Sequence, residues 1–295
     1  MQGLILLNKP TGITSFSAVS AIKRAAQEKR VGHTGTLDPM ATGVLPVFLG
    51  RATALSSYLL DGDKGYRATV KLGVKTDSCD ITGNVIKETS VNLKNEDITA
   101  ALEKFIGEIE QAPPMYSAIK KDGVRLYQLA RKGIEVEVPK RRVRIYSITQ
   151  ISPLNEQNEF VIDVSVSKGT YIRSLCNDIG EYLGVGATLT TLCRTKVSSF
   201  TIENCVPLEK ISGENINDYL LNEEIAVSHF REVFVTENQA KRFSNGGQLS
   251  YERLKVADFV DEEILRIKYK DRFIGLGFAD NERQQIGIKC IINQL

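Results

Sequence analysis

One segment governs what this chain can become: Gly32-His33-Thr34-Gly35-Thr36-Leu37-Asp38-Pro39, continuing through Ala41-Thr42-Gly43-Val44-Leu45-Pro46 to Gly50. Glycines free of side-chain restraint, and prolines with a fixed φ and no N–H, recur too often here for one regular helix or strand. A shaped loop carrying a single carboxylate, Asp38, is therefore expected, and loops held by a rigid scaffold are where ligand-directed groups concentrate. Asp-Pro pairs also start turns, the carboxylate bonding nearby N–H groups, so a purely conformational Asp38 is the competing reading. His33 lies upstream on the same segment, and no other carboxylate of the chain sits in so constrained a local sequence.

The 295 residues suffice for one large domain and a smaller one. Gly3–Asn8 is too short for a secretory signal and Lys9-Pro10 ends it, while no apolar run nears membrane-spanning length. The five cysteines, Cys79, Cys176, Cys193, Cys205 and Cys290, are scattered without a CxxC pair, which fits a reduced, cytoplasmic compartment. With only His33 and His229 as histidines, a His-rich zinc site is excluded, and Asp77 and Asp80 lack the spacing of a calcium loop. Gly184-Val185-Gly186 lacks the third glycine of a dinucleotide fingerprint and no P-loop is present, so neither metal nor nucleotide cofactor is expected.

Net charge is only +2, but its distribution is uneven. Nine basic residues fall between Lys120 and Arg144, among them Arg141 and Arg142, against the acids Asp122, Glu135 and Glu137, with Tyr116, Tyr127 and Tyr146 alongside. Such a cationic, tyrosine-bearing stretch suits phosphate contact and base stacking; a solvated face beside a basic strand is the bland alternative.

Along the chain, strands are expected at Gly3–Leu7, Tyr66–Leu72, Arg142–Ile151, Glu159–Ser167 and Thr188–Ser198. Helices are expected from Phe16 to Ala26, with Phe16, Val19 and Ile22 on one stripe, at Ala52–Leu60, after an Asn95 or Asp97 cap, at Val124–Arg131 and over Ile172–Leu183. An extended piece is expected over Met115–Lys120, with Asp122-Gly123 as a turn. The tail reads as a helix at Thr236–Phe243 stopped by Asn245-Gly246-Gly247, then strands at Leu265–Tyr269, Phe273–Ala279 and Gln285–Ile292. Irregular mixing of helices and strands argues for α+β with a largely antiparallel mixed sheet, plus a small C-terminal β domain. The expected division is 1–228 and 229–295, with a basic insertion at about 119–144.

Two further places can carry chemistry. In Lys168-Gly169-Thr170-Tyr171-Ile172-Arg173 a glycine turn enters a helix, so Arg173 can pair with a carboxylate and Tyr171 can present a ring; a packed tyrosine and surface arginine are the alternative. Tyr66 opens a strand, where most tyrosines are structural.

Together these strings resemble the TruB family of pseudouridine synthases. The matching segments are Leu7-Asn8-Lys9-Pro10-Thr11-Gly12, the Gly32–Pro39 string, Ala41–Pro46, Lys64-Gly65-Tyr66, Pro113-Pro114-Met115-Tyr116-Ser117-Ala118 and Lys168–Arg173, in family order over about two-thirds of the chain. The resemblance implies a pseudouridine synthase-type domain with a PUA-like RNA-binding tail, acting on uridine 55 in the T-arm of tRNA. It implies Asp38 as the essential aspartate, Tyr66 as the residue that stacks on the base and moves a proton, and Arg173 as the partner of the carboxylate. Tyr171 and Leu192 would contact the nucleotide, His33 would hold the rearranged T-loop, Lys9 would belong to the substrate site, and Lys120, Arg141 and Arg142 would clamp RNA. A monomeric, cytoplasmic enzyme with tRNA as partner and no cofactor follows. An RNA-guided relative of the H/ACA type and a tRNA-folding chaperone with dispensable catalysis are the alternatives; a hydrolase built on Asp38 and His33 lacks a second carboxylate and a triad.

Overall fold

A computed structural model describes every residue except 115, 117–119, 122, 131–133, 135, 137 and 255–257, with the backbone alone at 120, 121, 125, 127 and 130. The extended piece expected over Met115–Lys120, and much of the basic insertion, fall on residues outside that description.

The chain runs β1 (Gly3–Lys9), α1 (Ser15–Ala26), β2 (Val31–His33), β3 (Thr42–Leu49), a 3-10 turn over Gly50–Leu55, α2 (Ser56–Leu60) and β4 (Lys64–Leu72). A hairpin of β5 (Val74–Thr76) and β6 (Val85–Glu88) leads to α3 (Asn95–Glu103) and β7 (Gly107–Gln111). The short pair β8 (Lys120–Lys121) and β9 (Val124–Arg125), with α4 (Leu126–Ala130), precedes β10 (Arg141–Gln150), β11 (Glu159–Val166), α5 (Ile172–Tyr182), β12 (Ala187–Val197), β13 (Phe200–Thr201) and β14 (Val206–Pro207). The main sheet is ordered β14-β1-β3-β12-β4-β11-β10-β7, with β2 on β3 and β13 on β12. Only β1–β14 and β3–β12 pair parallel, so the sheet is mixed and largely antiparallel. The tail forms β15 (Arg231–Phe234), α6 (Glu237–Ser244), β16 (Leu249–Ser250), α7 (Tyr251–Leu254), β17 (Ile264–Tyr269), β18 (Arg272–Asp280) and β19 (Gln285–Ile291), in a second sheet ordered β15-β17-β18-β19-β16.

Helix α1 starts where Thr14 Oγ1 accepts the Ser17 N–H at 3.0 Å, and stops at Gln27, whose φ of 49° is left-handed. Its buried face is Ser15, Ala18, Val19, Ile22 and Ala26; Phe16, expected on that stripe, is instead 77% exposed, because Ser15 faces inward to bond Leu37. Helix α3 is entered from Lys94, not capped by Asn95; the Asp97 carboxylate reaches back to accept the Lys94 N–H at 2.8 Å. The second half of the Gly32–Gly50 segment is strand β3, not loop. It is buried on both faces, so period-two alternation is erased and the residues read as a continuous apolar run. Gly43 is needed there: its φ is 104°, and a Cβ would run into the Arg194 carbonyl of β12.

One core lies between the sheet and helices α1, α3 and α5, with Ile5, Leu45, Ala68, Phe160, Ile162, Leu175 and Leu189 among its buried members. Phe160, Ile162, Val164 and Val166 all point into it, as alternation along β11 predicts. A second cluster joins Leu4, Leu6, Val44 and Phe48 of the large sheet to Phe273, Leu276 and Ile292 of the tail. The tail begins with a strand, β15, parallel to β17, where helix-first order is the expectation from the sequence. No helix among the described residues is long and apolar enough to cross a membrane.

Candidate active site

The loop between β2 and β3 is fastened from behind before it presents Asp38. The Leu37 N–H donates to Ser15 Oγ at 2.9 Å, and the Ser15 hydroxyl lies 3.0 Å from Leu37 O. The Gly12 N–H donates to Pro39 O at 2.8 Å, the Thr11 hydroxyl to Met40 O at 3.0 Å, and the Ala41 N–H closes a turn on Asp38 O at 3.0 Å. Arg194, 1% exposed, donates from Nη2 to Gly35 O at 2.7 Å and from Nε to Val44 O at 2.8 Å. Gly35 makes room for it: φ is 69°, and a Cβ would sit 3.0 Å from the guanidinium.

Lys9, expected at the substrate, has no exposed surface. Its Nζ donates to Pro10 O and Ile13 O, both at 2.8 Å, and to Pro39 O at 3.4 Å. Burial lowers its pKa to about 8, with the nearby Asp38 charge opposing the fall. Its position makes it a support for the loop rather than a surface for RNA.

The Asp38 carboxylate meets Arg173, from the first turn of α5, in a fork: Nε to Oδ2 at 3.0 Å and Nη2 to Oδ1 at 3.3 Å. A planar guanidinium suits this two-pronged contact better than a lysine could. Arg173 is itself buried and held from its other edge by Tyr116 O at 2.8 Å, Ser78 O at 3.4 Å and Asp80 Oδ2 at 3.4 Å. Asp80 is buried too, its other oxygen accepting from Ser78 Oγ at 2.8 Å, Thr82 N at 3.0 Å and Thr82 Oγ1 at 2.6 Å. Two carboxylates thus share one guanidinium. For Asp38 the outcome is a pKa above the usual carboxylate range: burial raises it, Arg173 opposes, and the Asp80 charge raises it further.

Asp38 opens onto a recess of 110 Å³. Its walls are Tyr66, Tyr171, Ile172, Leu37 and Leu192 with Thr36 and Thr170, so one carboxylate and one guanidinium face a ring-lined space of mixed polarity. Tyr66, 8% exposed, arrives from β4, where it pairs opposite Arg194 of β12; the Arg194 guanidinium lies against its hydroxyl. Asp38, Tyr66, Tyr171, Arg173 and Leu192, expected together, are brought together. His33 stands at the end of β2 beside the recess, half-buried, with Nε2 3.3 Å from Thr36 Oγ1. Burial lowers its pKa, and the Arg194 charge adds to the fall.

The basic residues divide. Arg141 lies 4.6 Å from the Tyr171 ring centre and donates to Gly169 O, so it packs against the recess wall. Arg142 is exposed on β10 but stands opposite Glu110 of β7, as Arg144 stands opposite Glu108. Cross-strand neighbours of opposite charge offset one another, which the residue count between Lys120 and Arg144 does not reveal. The Lys120 side chain lies outside the described residues. Asp80 is a site residue that sequence reasoning misses; the Ser78-Cys79-Asp80-Ile81-Thr82 stretch carries hydroxyls on both sides of a carboxylate, a pattern that can satisfy a buried acid.

Comparison with known proteins places the chain in a family. Residues 23–172 match the model of the TruB family pseudouridylate synthase N-terminal domain, and residues 173–231 match that of the tRNA pseudouridylate synthase B C-terminal domain. The chain is 46% identical to tRNA pseudouridine synthase B of Clostridium tetani over 99% of its own length and 100% of that protein. It is 42% identical to the protein of the same name from Clostridium perfringens (strain 13 / Type A), covering 96% of each. Among solved structures it resembles an archaeal box H/ACA sRNP Nop10-Cbf5 complex, with TM-score 0.74, 26% identity, and 99% of this chain and 86% of that one covered. A Cbf5-Nop10-Gar1 complex gives TM-score 0.74 at 28% identity, covering 99% and 84%. The chain therefore belongs to the TruB family of pseudouridylate synthases.

Proposed function

We propose that this protein isomerises uridine to pseudouridine in tRNA, at position 55 of the T-arm, with Asp38 as the reacting carboxylate. The observation that carries the reading is the Asp38–Arg173 fork at the mouth of a ring-lined recess. A uridine inside a folded loop must first be flipped out to reach such a recess. The C1′–N1 bond then breaks, the uracil turns, and C5 bonds to C1′; a proton leaves C5 and N1 regains one. Asp38 acts as nucleophile or as base on the sugar, and Arg173 favours its ionised form against the opposing pull of burial. Tyr66 stacks on the base and serves the C5 proton; Tyr171 and Leu192 confine the loosened ring, which free water would otherwise carry off. Lys9 acts through the loop that bears Asp38, and His33 supports the displaced T-loop beside the recess.

In this reading the catalytic unit spans 1–228 and the tail, 229–295, is a PUA-like RNA-contacting module. The enzyme works as a monomer in the cytoplasm, and Lys120 and Arg142 of the 119–144 insertion meet phosphates. The test is incubation of the protein alone with an unmodified tRNA transcript, followed by pseudouridine mapping, for wild type and Asp38→Asn. Pseudouridine at another position would move the substrate assignment, and a requirement for a guide RNA would favour the H/ACA-type alternative. Product formed equally by both proteins would remove Asp38 from the reaction, and product from neither would favour the chaperone reading.

Two expectations accompany this. Tyr66→Phe keeps the ring and loses the hydroxyl, so kcat should fall by about 10²–10⁴-fold with little change in KM. A collapse of binding with an intact rate would refute the proton role. Removing the charges of Lys120 and Arg142 should flatten the slope of log Kd against log salt by about 0.7–0.9 for each phosphate no longer neutralised. An unchanged slope would mean that Glu110 already neutralises Arg142 and that the insertion is no clamp.

A further inference from the structure

Helix α5 begins without a side-chain cap: Tyr171, its N-cap residue, offers no hydroxyl or carboxylate to the first turn. The Tyr171 carbonyl accepts the first bond of the helix from the Leu175 N–H at 3.1 Å, but its N–H lies outside the helical ladder and needs a partner from elsewhere. One side chain engages both groups. Gln111, fully buried at the end of edge strand β7, accepts the Tyr171 N–H on Oε1 at 2.7 Å and donates from Nε2 to Tyr171 O at 3.0 Å. Pro113 and Pro114 follow and have no N–H to extend a ladder, so the amide side chain stands in for a missing strand rung. Directly across the β7–β10 ladder, Arg141 packs on the Tyr171 ring and bonds Gly169 O. The Ser174 hydroxyl adds a bond to Ala112 O at 2.9 Å, and Arg173 reaches Tyr116 O.

We propose that Gln111 is a positioning residue for the pocket: its amide clasps the backbone of Tyr171 and so sets both that ring and the Arg173 guanidinium two residues further on. It touches neither RNA nor the reacting atoms. The clasp demands one neutral group that donates and accepts at once, which a primary amide supplies and an apolar side chain of equal volume does not. Releasing it lets the first turn of α5 drift, and a drift near 1 Å is enough to spoil the fork on Asp38. The proposal rests on the reading of the recess as the catalytic pocket.

The test uses the full chain and tRNA transcript, with Gln111→Met and Gln111→Glu beside wild type. Turnover is followed across pH, together with hydrogen exchange of amides in residues 170–176. Gln111→Met should lower kcat by about 10–100-fold with KM within about twofold of wild type, and should speed exchange at Tyr171. In Gln111→Glu the neutral acid can still donate and accept, whereas the anion cannot donate. Its activity relative to wild type should therefore approach one at acid pH and fall as pH rises. A purely volumetric role predicts no such pH trend. Wild-type kcat and exchange in Gln111→Met, a loss confined to KM, or a Gln111→Glu ratio flat with pH would each overturn the proposal. Should Gln111→Met not fold, the Gln111→Glu ratio decides alone. Wild-type protein inactive on tRNA would defeat the functional reading instead, and the exchange rates would still judge the clasp.

Discussion

Asp38→Asn is expected to lower turnover by about 10⁴-fold or more, since among the described residues no second carboxylate lines the recess to replace it. RNA affinity should stay within about threefold, because phosphate contacts dominate binding and Asp38 makes none of them. Single-turnover rates with saturating enzyme, and filter binding of the same transcript, separate the two quantities. Residual turnover near wild type would remove Asp38 from the reaction. The wild-type rate should also carry an acid limb. Asp38 has a raised pKa and must be ionised to react, so activity climbs as pH rises through that value and is lost below it.

Arg173→Met should be nearly as severe, by about 10³-fold or more, for a different reason. Without the guanidinium, Asp38 and Asp80 lose the counter-charge they share and Lys9 alone remains near Asp38, so protonation of the pair is favoured. The acid limb of any remaining activity should move to higher pH. Stability should fall as well, by about 3 kcal/mol, because Asp80 is left charged and buried without its partner. The sign of the pH dependence follows: carboxylates whose folded pKa is raised above the unfolded value favour the fold below the unfolded pKa and cease to do so as pH rises through the folded one. Acidification should therefore narrow the melting-temperature gap between variant and wild type. A gap that widens on acidification would contradict the shared-guanidinium picture.

The sequence conveys some of this better than the rest. Strands β4 and β11 alternate cleanly because one face is buried, and their bounds are nearly as expected. Strand β3 is hidden by its own burial: with both faces covered, glycine and proline are the only punctuation, and they argue for a loop. Asp38 and Arg173 stand 135 residues apart, and only the family resemblance joins them in advance. Asp80 and Gln111 escape altogether, because their importance lies in what they satisfy and not in what they are. An aspartate in a polar turn and a glutamine ending a strand are commonplace until a buried guanidinium and an uncapped helix are found beside them. The basic stretch misleads in the other direction, since Glu108 and Glu110 lie just outside it in sequence yet directly across the ladder from Arg144 and Arg142.

The place of β12 has a consequence for how the protein is made. This strand, residues 187–197, slots between β3 and β4, two neighbours synthesised more than a hundred residues earlier. Until it emerges from the ribosome, the halves of the sheet have no seam, Arg194 cannot brace the Asp38 loop, and Leu192 cannot complete the recess. Long-range closure of this kind is slow, because the entropy of the intervening chain is surrendered before any contact rewards it. A nascent chain thus acquires its chemistry abruptly and late, and is inert towards RNA uridines for most of its translation.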